Sequence, residues 1–287
     1  MSRVRGGWGV LFVAPATLLL LLFFVLPIFY SARLSFYEVG WTEDTWIGLE
    51  NYRQLLHEDE FWSSARVTGK FFVAYMLFNM VVSYLVAIAL SRLSHRLCGA
   101  MLTLYRVPGM FGVIGSVVFW RWFYRLQGGA LNDLLAQLHL PAIDWLGRPE
   151  TALWGIAFAM MMPLVAGSSL LYVAAIGQVD RELLEAARLD GANELQVIWH
   201  ILTPLTNRIR LYILVTNLVG AMQIWEHPFF FTGGGPLGST RPMMYEVFHK
   251  AFEKFDFGMG SAMTVVMVMI TLGLAVGFMG KLREAIE

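Results

Sequence analysis

The chain alternates long apolar runs with shorter polar stretches, and the apolar runs set its organisation. Six of them reach the roughly 20 residues that a helix needs to cross a bilayer core of about 30 Å. They lie at about 10–31, 67–91, 100–123, 152–176, 209–231 and 259–280. Runs of this length with so few charges predict an all-α polytopic membrane protein with six transmembrane helices, organised as a single domain over residues 1–287. The first run contains VLFVAPATLLLLLFFVLPIFY, which is longer than a signal-peptide core and lacks a small-x-small cleavage site. It therefore reads as an uncleaved span, with Pro15 and Pro27 near its two ends.

Six spans put both termini on one side, and Lys and Arg in the short loops indicate which side. One set of polar stretches holds Arg3, Arg5, Arg92, Arg96, Arg181, Arg188, Arg208, Lys281 and Arg283, and the other, longer set is poorer in such residues for its length. This bias predicts cytoplasmic termini. The outer segments are then 32–66, 124–151 and 232–258, rich in Trp, Tyr, Gly and acidic residues and able to form a partly ordered cap. Of the inner loops, 92–99 is short and 177–208 is long.

That long inner loop contains VDRELLEAARLDGANELQVIWHILTPL, and its polar pattern predicts two short helices joined by a turn. Asp180 is placed to cap the first, with Glu182 and Glu185 near its positive end. Gly191 stops it, because glycine tolerates the left-handed conformation at a helix end. Asn193 caps the second helix, and Gln196 three residues later completes a capping-box spacing. Leu183, Ala186, Ala187 and Asp190 recur at three- and four-residue spacings, which gives a small, Ala-lined surface flanked by carboxylates. Such a surface has little of its own to bury against and suits a protein partner. Glu185 also admits a plainer reading, as a solvated carboxylate near a helix start.

The stretch EAARLDGA, followed by Gln196 and then ILTPL, resembles the EAA motif of inner-membrane permease subunits of binding-protein-dependent ABC importers. Glu185, Ala186, Ala187, Asp190, Gly191 and Ala192 match the motif, as does Pro204, although Thr203 stands where the family usually has leucine. IGLENYRQLL (47–56) is similar to the family's Gly-Leu-x-Asn-Tyr segment. DWLG (144–147) and FTGGGPLGSTRPMMYEVFHKAFEKFDFGMGSAM (231–263) are similar to outer segments of its sugar-importing, maltose and glycerol-phosphate type branch. The resemblance implies a type I ABC importer permease fold in a bacterial or archaeal cytoplasmic membrane, with the EAA region as a cytoplasmic coupling helix. It also implies partners: a second permease subunit, different in sequence by the practice of the branch, two ATPase subunits, and an extracytoplasmic substrate-binding protein. ATP and Mg would be used by the ATPase subunits, and this chain would bind no cofactor.

Composition narrows the alternatives. The 287 residues are 57% hydrophobic and 15% charged, with a formal net charge of zero, against roughly 25% charged in an ordinary soluble domain. Nothing in this balance suggests nucleic acid as a partner. Cys98 is the one cysteine, so there is neither an internal disulfide nor a cysteine-based zinc site. The P-loop pattern is absent: GFMGK (277–281) would need glycine at 275, where Ala275 stands. There is no HExxH pair and no GxSxG elbow, and His57, His95, His139, His200, His227 and His249 are scattered. The chain thus lacks the means to hydrolyse ATP or to run metal-dependent or acyl-transfer chemistry. A self-contained, ion-coupled carrier is the alternative, and it would call for internal repeats and mid-span charges that the sequence does not show.

Polar residues within spans are costly in lipid and tend to face a cavity or another helix. The candidates for a solute path are Asn79, Ser168, Asn217, Gln223, Trp225 and Glu226. In AMQIWEHPFFFTGGGP, an amide, an indole and a carboxylate fall together just before a proline and a glycine-rich loop. Amides and carboxylates hydrogen-bond hydroxyls while an aromatic face covers a sugar ring, so a neutral sugar or oligosaccharide suits the group. A phosphate ester would ask for cavity cations, for which Arg121 is the single candidate. A second reading places Glu226 and His227 at the membrane interface with Trp225 as an aromatic anchor. Ser168, with Ser169, equally suits close helix packing.

Overall fold

The computed structural model describes residues 6–40 and 42–284. Arg3 and Arg5, and the side chains of Lys281 and Arg283, lie outside the described residues. The chain divides into two compact units, one from Met1–Trp62 and Glu246–Met269, the other from Ser63–Tyr245 and Ile270–Glu287.

The first unit opens with helix Gly6–Leu20, which widens into a π-turn at Leu21–Val25 and continues as Leu26–Leu34. Pro27 explains the widening: it has no N–H to donate, and in a regular helix its ring would crowd the carbonyl of Phe23. None of the apolar side chains of Phe12–Leu34 is buried within the chain, as expected of a helix facing lipid or another subunit. A short hairpin follows, Tyr37–Val39 against Asp44–Trp46, with Tyr37 opposite Trp46. It was not anticipated, because three-residue strands leave too little alternation to register. Asn51, in helix Glu50–His57, donates through Nδ2 to the carbonyls of Ser35 and Tyr37, both at 3.0 Å. This gives the asparagine of the Gly-Leu-x-Asn-Tyr segment a concrete use in fixing the chain as it leaves the first helix.

In the same unit the ammonium of Lys250 donates to Glu58 at 2.5 Å, with the lysine side chain 7% and the glutamate 32% exposed. Removing the acceptor leaves a cation nearly out of water. Glu58→Ala is therefore expected to cost about 2 kcal/mol, within the range for charged hydrogen bonds. The check is the midpoint of thermal aggregation in detergent, which falls by several degrees in the variant.

The second unit holds most of the buried apolar side chains. Val67, Phe71 and Ala74 of helix Asp59–Ser91 pack with Val117 and Trp120 of helix Gly112–Phe123, Ile156 and Met160 of helix Pro149–Ile176, and Ala221, Ile224 and Phe231. The Tyr124 hydroxyl donates to the Gly155 carbonyl at 2.8 Å, its ring stacks on Trp145 at 5.8 Å, and burial pushes its pKa up. DWLG forms a tight turn closed by the Gly147 N–H on Asp144 Oδ1 at 2.9 Å. In the glycine-rich loop, the Thr240 hydroxyl donates to the Gly235 carbonyl at 2.8 Å, and Arg241 lies over the Tyr245 ring.

Among the described residues, five helices are long and apolar enough to cross a membrane: Phe12–Leu34, Asp59–Ser91, His95–Phe123, Pro149–Ile176 and Phe257–Gly280. They match five of the six expected spans. The expected span at 209–231 is not one helix. Asn207–Met222 stops after 16 residues, about 24 Å at 1.5 Å per residue, and a second piece, Glu226–Thr232, begins after a break at 223–225. Pro228 accounts for the break, since its ring would meet the carbonyl of Ile224 in a continuous helix and it has no N–H to give. The span at 100–123 is also interrupted. Helix His95–Arg106 tightens into a 3-10 turn at Val107–Phe111, which carries Pro108 and Gly109, and resumes from Gly112 at φ 63°.

Candidate functional site

The segment 177–208 folds as two short helices and a turn. Helix Arg181–Leu189 starts at Asp180, whose carboxylate accepts from the Glu182 N–H at 3.0 Å. At its other end the Gly191 N–H donates to the Arg188 carbonyl at 3.1 Å and the Ala192 N–H to the Ala187 carbonyl at 3.0 Å. Together these satisfy two otherwise orphan carbonyls and form a Schellman closure, which requires a left-handed residue between them. Gly191 supplies it at φ 87°. Helix Glu194–Val197 then opens with a full capping box, in which the Asn193 N–H donates to Gln196 Oε1 and the Gln196 N–H to Asn193 Oδ1, at 2.8 and 2.9 Å. A π-turn at Ile198–Leu202 carries the chain to Thr203–Leu205 and lets Pro204 enter without crowding the carbonyl of His200.

One face of this segment is anchored. Val179, Leu184 and Ile198 pack against a buried cluster formed by Ala87 and Ile88 of one long helix, Tyr172 and Ile176 of another, and Leu202 and Ile213. The Tyr84 hydroxyl and Thr203 Oγ1 lie 3.1 Å apart across the same junction. The opposite face is open. Glu185, Ala186, Asp190 and Gly191 are exposed, and Ala187 and Ala192 are half-buried. Beside them stand Leu189 at 88% and Trp199 at 68% exposure, with Leu183 and Leu195 also exposed. These exposed leucines and the tryptophan, on a polar element, are available for contact with a protein partner.

The other candidate residues meet at the break in the fifth span. Gln223, Trp225, Glu226 and His227, with Tyr75 and Met244, line an open depression of about 420 Å³. A second cavity of about 630 Å³ is walled by Pro108, Gly109 and Gly112 of the interrupted third helix, Pro163 of the fourth, and the rings of Phe119 and Trp120. His227 lines both. Non-helical backbone at membrane depth is tolerated only where it is buried in protein or faces a water-filled cavity, and discontinuous helices commonly form transporter binding sites. Pro108, Gly109, Gly112 and Pro163 were not among the expected residues. Their signal was visible as proline and glycine within apolar runs.

The remaining three path candidates lie elsewhere in the second unit. Asn79 and Asn217 are 1% and 5% exposed, and Asn79 Nδ2 donates to Asn217 Oδ1 at 2.8 Å. The Ser83 hydroxyl donates to the Asn79 carbonyl, and the Ser169 hydroxyl to the Ser83 carbonyl at 3.2 Å. This polar seam stitches helices Asp59–Ser91, Pro149–Ile176 and Asn207–Met222 together inside the chain. Ser168 is buried beside Ser169, in keeping with helix packing. Asn79, Ser168 and Asn217 are thus buried between helices, and none of them lines either of these two cavities.

Comparison with known proteins places these features in context. Residues 71–282 match the family model described as binding-protein-dependent transport system inner membrane component. The chain is 31% identical to the probable ABC transporter permease protein YurN of Bacillus subtilis over 92% of both chains. It is 27% identical to the trehalose/maltose transport system permease protein MalF of Thermococcus litoralis, over 96% of this chain and 94% of that one. In fold it is similar to a chain of a bacterial ABC transporter involved in the import of the acidic polysaccharide alginate, at a TM-score of 0.85 and 18% identity, covering 98% and 97% of the two chains.

Proposed function

The chain belongs to the binding-protein-dependent transport system inner membrane components and is an ABC importer permease subunit, and we propose that it forms half of the transmembrane route for a neutral sugar or oligosaccharide. On this reading the whole chain is one permease domain in a bacterial or archaeal cytoplasmic membrane, with both termini and the segment 177–208 in the cytoplasm. It pairs with a second, different permease subunit, receives solute from an extracytoplasmic binding protein, and rests on two ATPase subunits. Those subunits use ATP and Mg, and this chain performs no chemistry and binds no cofactor.

The observation that carries the proposal is the segment 177–208, with its first helix closed at both ends and its second opened by a capping box, anchored on one face and open on the other, with the EAA residues on or beside the open face. Glu185, Ala186, Ala187, Asp190, Gly191 and Ala192 form the seat for the ATPase. Movement of the ATPase on nucleotide binding reaches the long helices through the packed underside, because close-packed elements shift as bodies and do not deform. Alternating access of the cavities at the broken helices follows. The sugar is supported by the MalF relative's named solutes and by the polar depression, where Gln223 and Glu226 offer hydrogen bonds to hydroxyls and Trp225 a ring face.

The test is uptake by the complex reconstituted in liposomes, across a panel of labelled mono-, di- and oligosaccharides with glycerol phosphate as the anionic control. Gln223→Ala and Trp225→Ala are each expected to raise the half-saturating sugar concentration roughly three- to tenfold, the worth of about 1 kcal/mol of lost contact. Uptake of the anionic control alone would overturn the neutral-sugar assignment.

A further inference from the structure

Glu194 lies in the variable part of the EAA region, between the motif and its closing proline, yet it holds more charged contacts than any of the motif residues among the described contacts. Its Oε1 accepts from Arg188 Nε at 3.1 Å and its Oε2 from an Arg92 guanidinium nitrogen at 2.8 Å. The three residues come from three elements. Arg92 directly follows the long helix Asp59–Ser91, Arg188 lies in the last turn of helix Arg181–Leu189, and Glu194 is the first residue of helix Glu194–Val197.

We infer that Glu194 is a positioning residue that clamps the docking segment to the end of helix Asp59–Ser91, so that displacement of the segment is passed to that helix as well as to the two it joins covalently. Chain connectivity, together with apolar packing, already ties 177–208 to helices Pro149–Ile176 and Asn207–Met222. Helix Asp59–Ser91 has no such bond, and it meets the segment through apolar side chains, the Tyr84–Thr203 contact and this ionic link. Apolar contacts resist separation but permit sliding and rotation, since they are non-directional. Two guanidinium groups converging on the two oxygens of one carboxylate fix direction, because charge-assisted hydrogen bonds are short and oriented. The Arg188 arm also braces the angle between the short helices across the Gly191 turn. Each pair is about half exposed, where single ion pairs contribute little, so the clamp acts on register rather than on overall stability.

The inference rests on the docking reading above, and the experiment separates the two. The complex is purified through the tagged chain with its ATPase subunits, supplied with binding protein and sugar in liposomes, and scored for solute moved per ATP hydrolysed. Glu194→Gln and Arg92→Gln should each lower this ratio about two- to fivefold, the double variant should be no worse than either single one, and Arg92→Lys should stay near native. ATPase recovery should remain native in all four. Fully additive single effects, or ratios unchanged throughout with native recovery, would overturn the clamp alone. Absence of ATPase subunits from the native preparation would overturn the docking reading and the clamp together.

Discussion

Gly191→Val should weaken ATPase docking and transport together. The variant is expected to insert and fold, to retain ATPase subunits weakly, and to import little. The cause is local: Gly191 sits at φ 87°, in a region where side chains with a Cβ are strained, and a β-branched residue is the worst fit. The cost is about 2 kcal/mol, which is roughly thirtyfold in a docking equilibrium if the turn relaxes to avoid it. A Cβ at this position would meet nothing within 4 Å, so steric exclusion does not enter. That permits a sharp control. Gly191→Asn, larger than alanine yet tolerant of the left-handed region, should hold ATPase recovery and uptake within about threefold of native. Equal damage from asparagine and valine would mean that the site needs empty space for its partner and not the backbone angle.

Asn217→Asp carries the second large effect. It is nearly isosteric and keeps an acceptor for Asn79 Nδ2, but it places an ionisable carboxyl at a position only 5% exposed within a membrane helix. An acidic group there costs about 3 kcal/mol, enough to lower the yield of folded protein severalfold. Replacing both partners, Asn79→Leu with Asn217→Leu, should be mild, within about 1 kcal/mol, because removing a hydrogen-bonded pair together leaves no orphan. The measurement is the fraction of monodisperse protein after heating, followed by uptake. A double variant that folds normally and transports normally fits an interhelical link, whereas one that folds but has lost uptake would return these asparagines to the solute path.

The parts of the fold set by local chemistry were readable in advance. Asp180, Gly191 and the Asn193–Gln196 pair could be assigned as caps because each acts within four residues of itself, and all three occur as the pattern required. Five of the long helices follow from apolar length in the same way. The broken fifth span was harder, although its cause was in view. The predominantly apolar run through 209–231 argued for one helix, while Pro228 acts four residues upstream, on Ile224, and ends it.

Non-local pairings were beyond reach. Asn79 and Asn217 are 138 positions apart, and either amide, taken alone, looks like a path residue. Their use as mutual partners appears only when the helices are packed. Glu194 was passed over for a related reason, since Arg92 lies 102 positions away. The walls of the larger cavity include Pro108, Gly109 and Gly112, which interrupt the third span, and Pro163, which lies within a continuous helix, positions that mark backbone geometry rather than side-chain chemistry.

If 177–208 seats an ATPase that drives this permease, the two must travel together through purification. The tagged chain is purified from its own membranes, ATPase subunits are quantified, and ATP hydrolysis is recorded with and without binding protein and sugar, beside a Glu185→Lys variant. The expected result is ATPase subunits with the native chain, hydrolysis stimulated by loaded binding protein, and loss of both in the variant with insertion intact. Recovery of the native chain without any ATPase, together with uptake that follows an ion gradient, would contradict it.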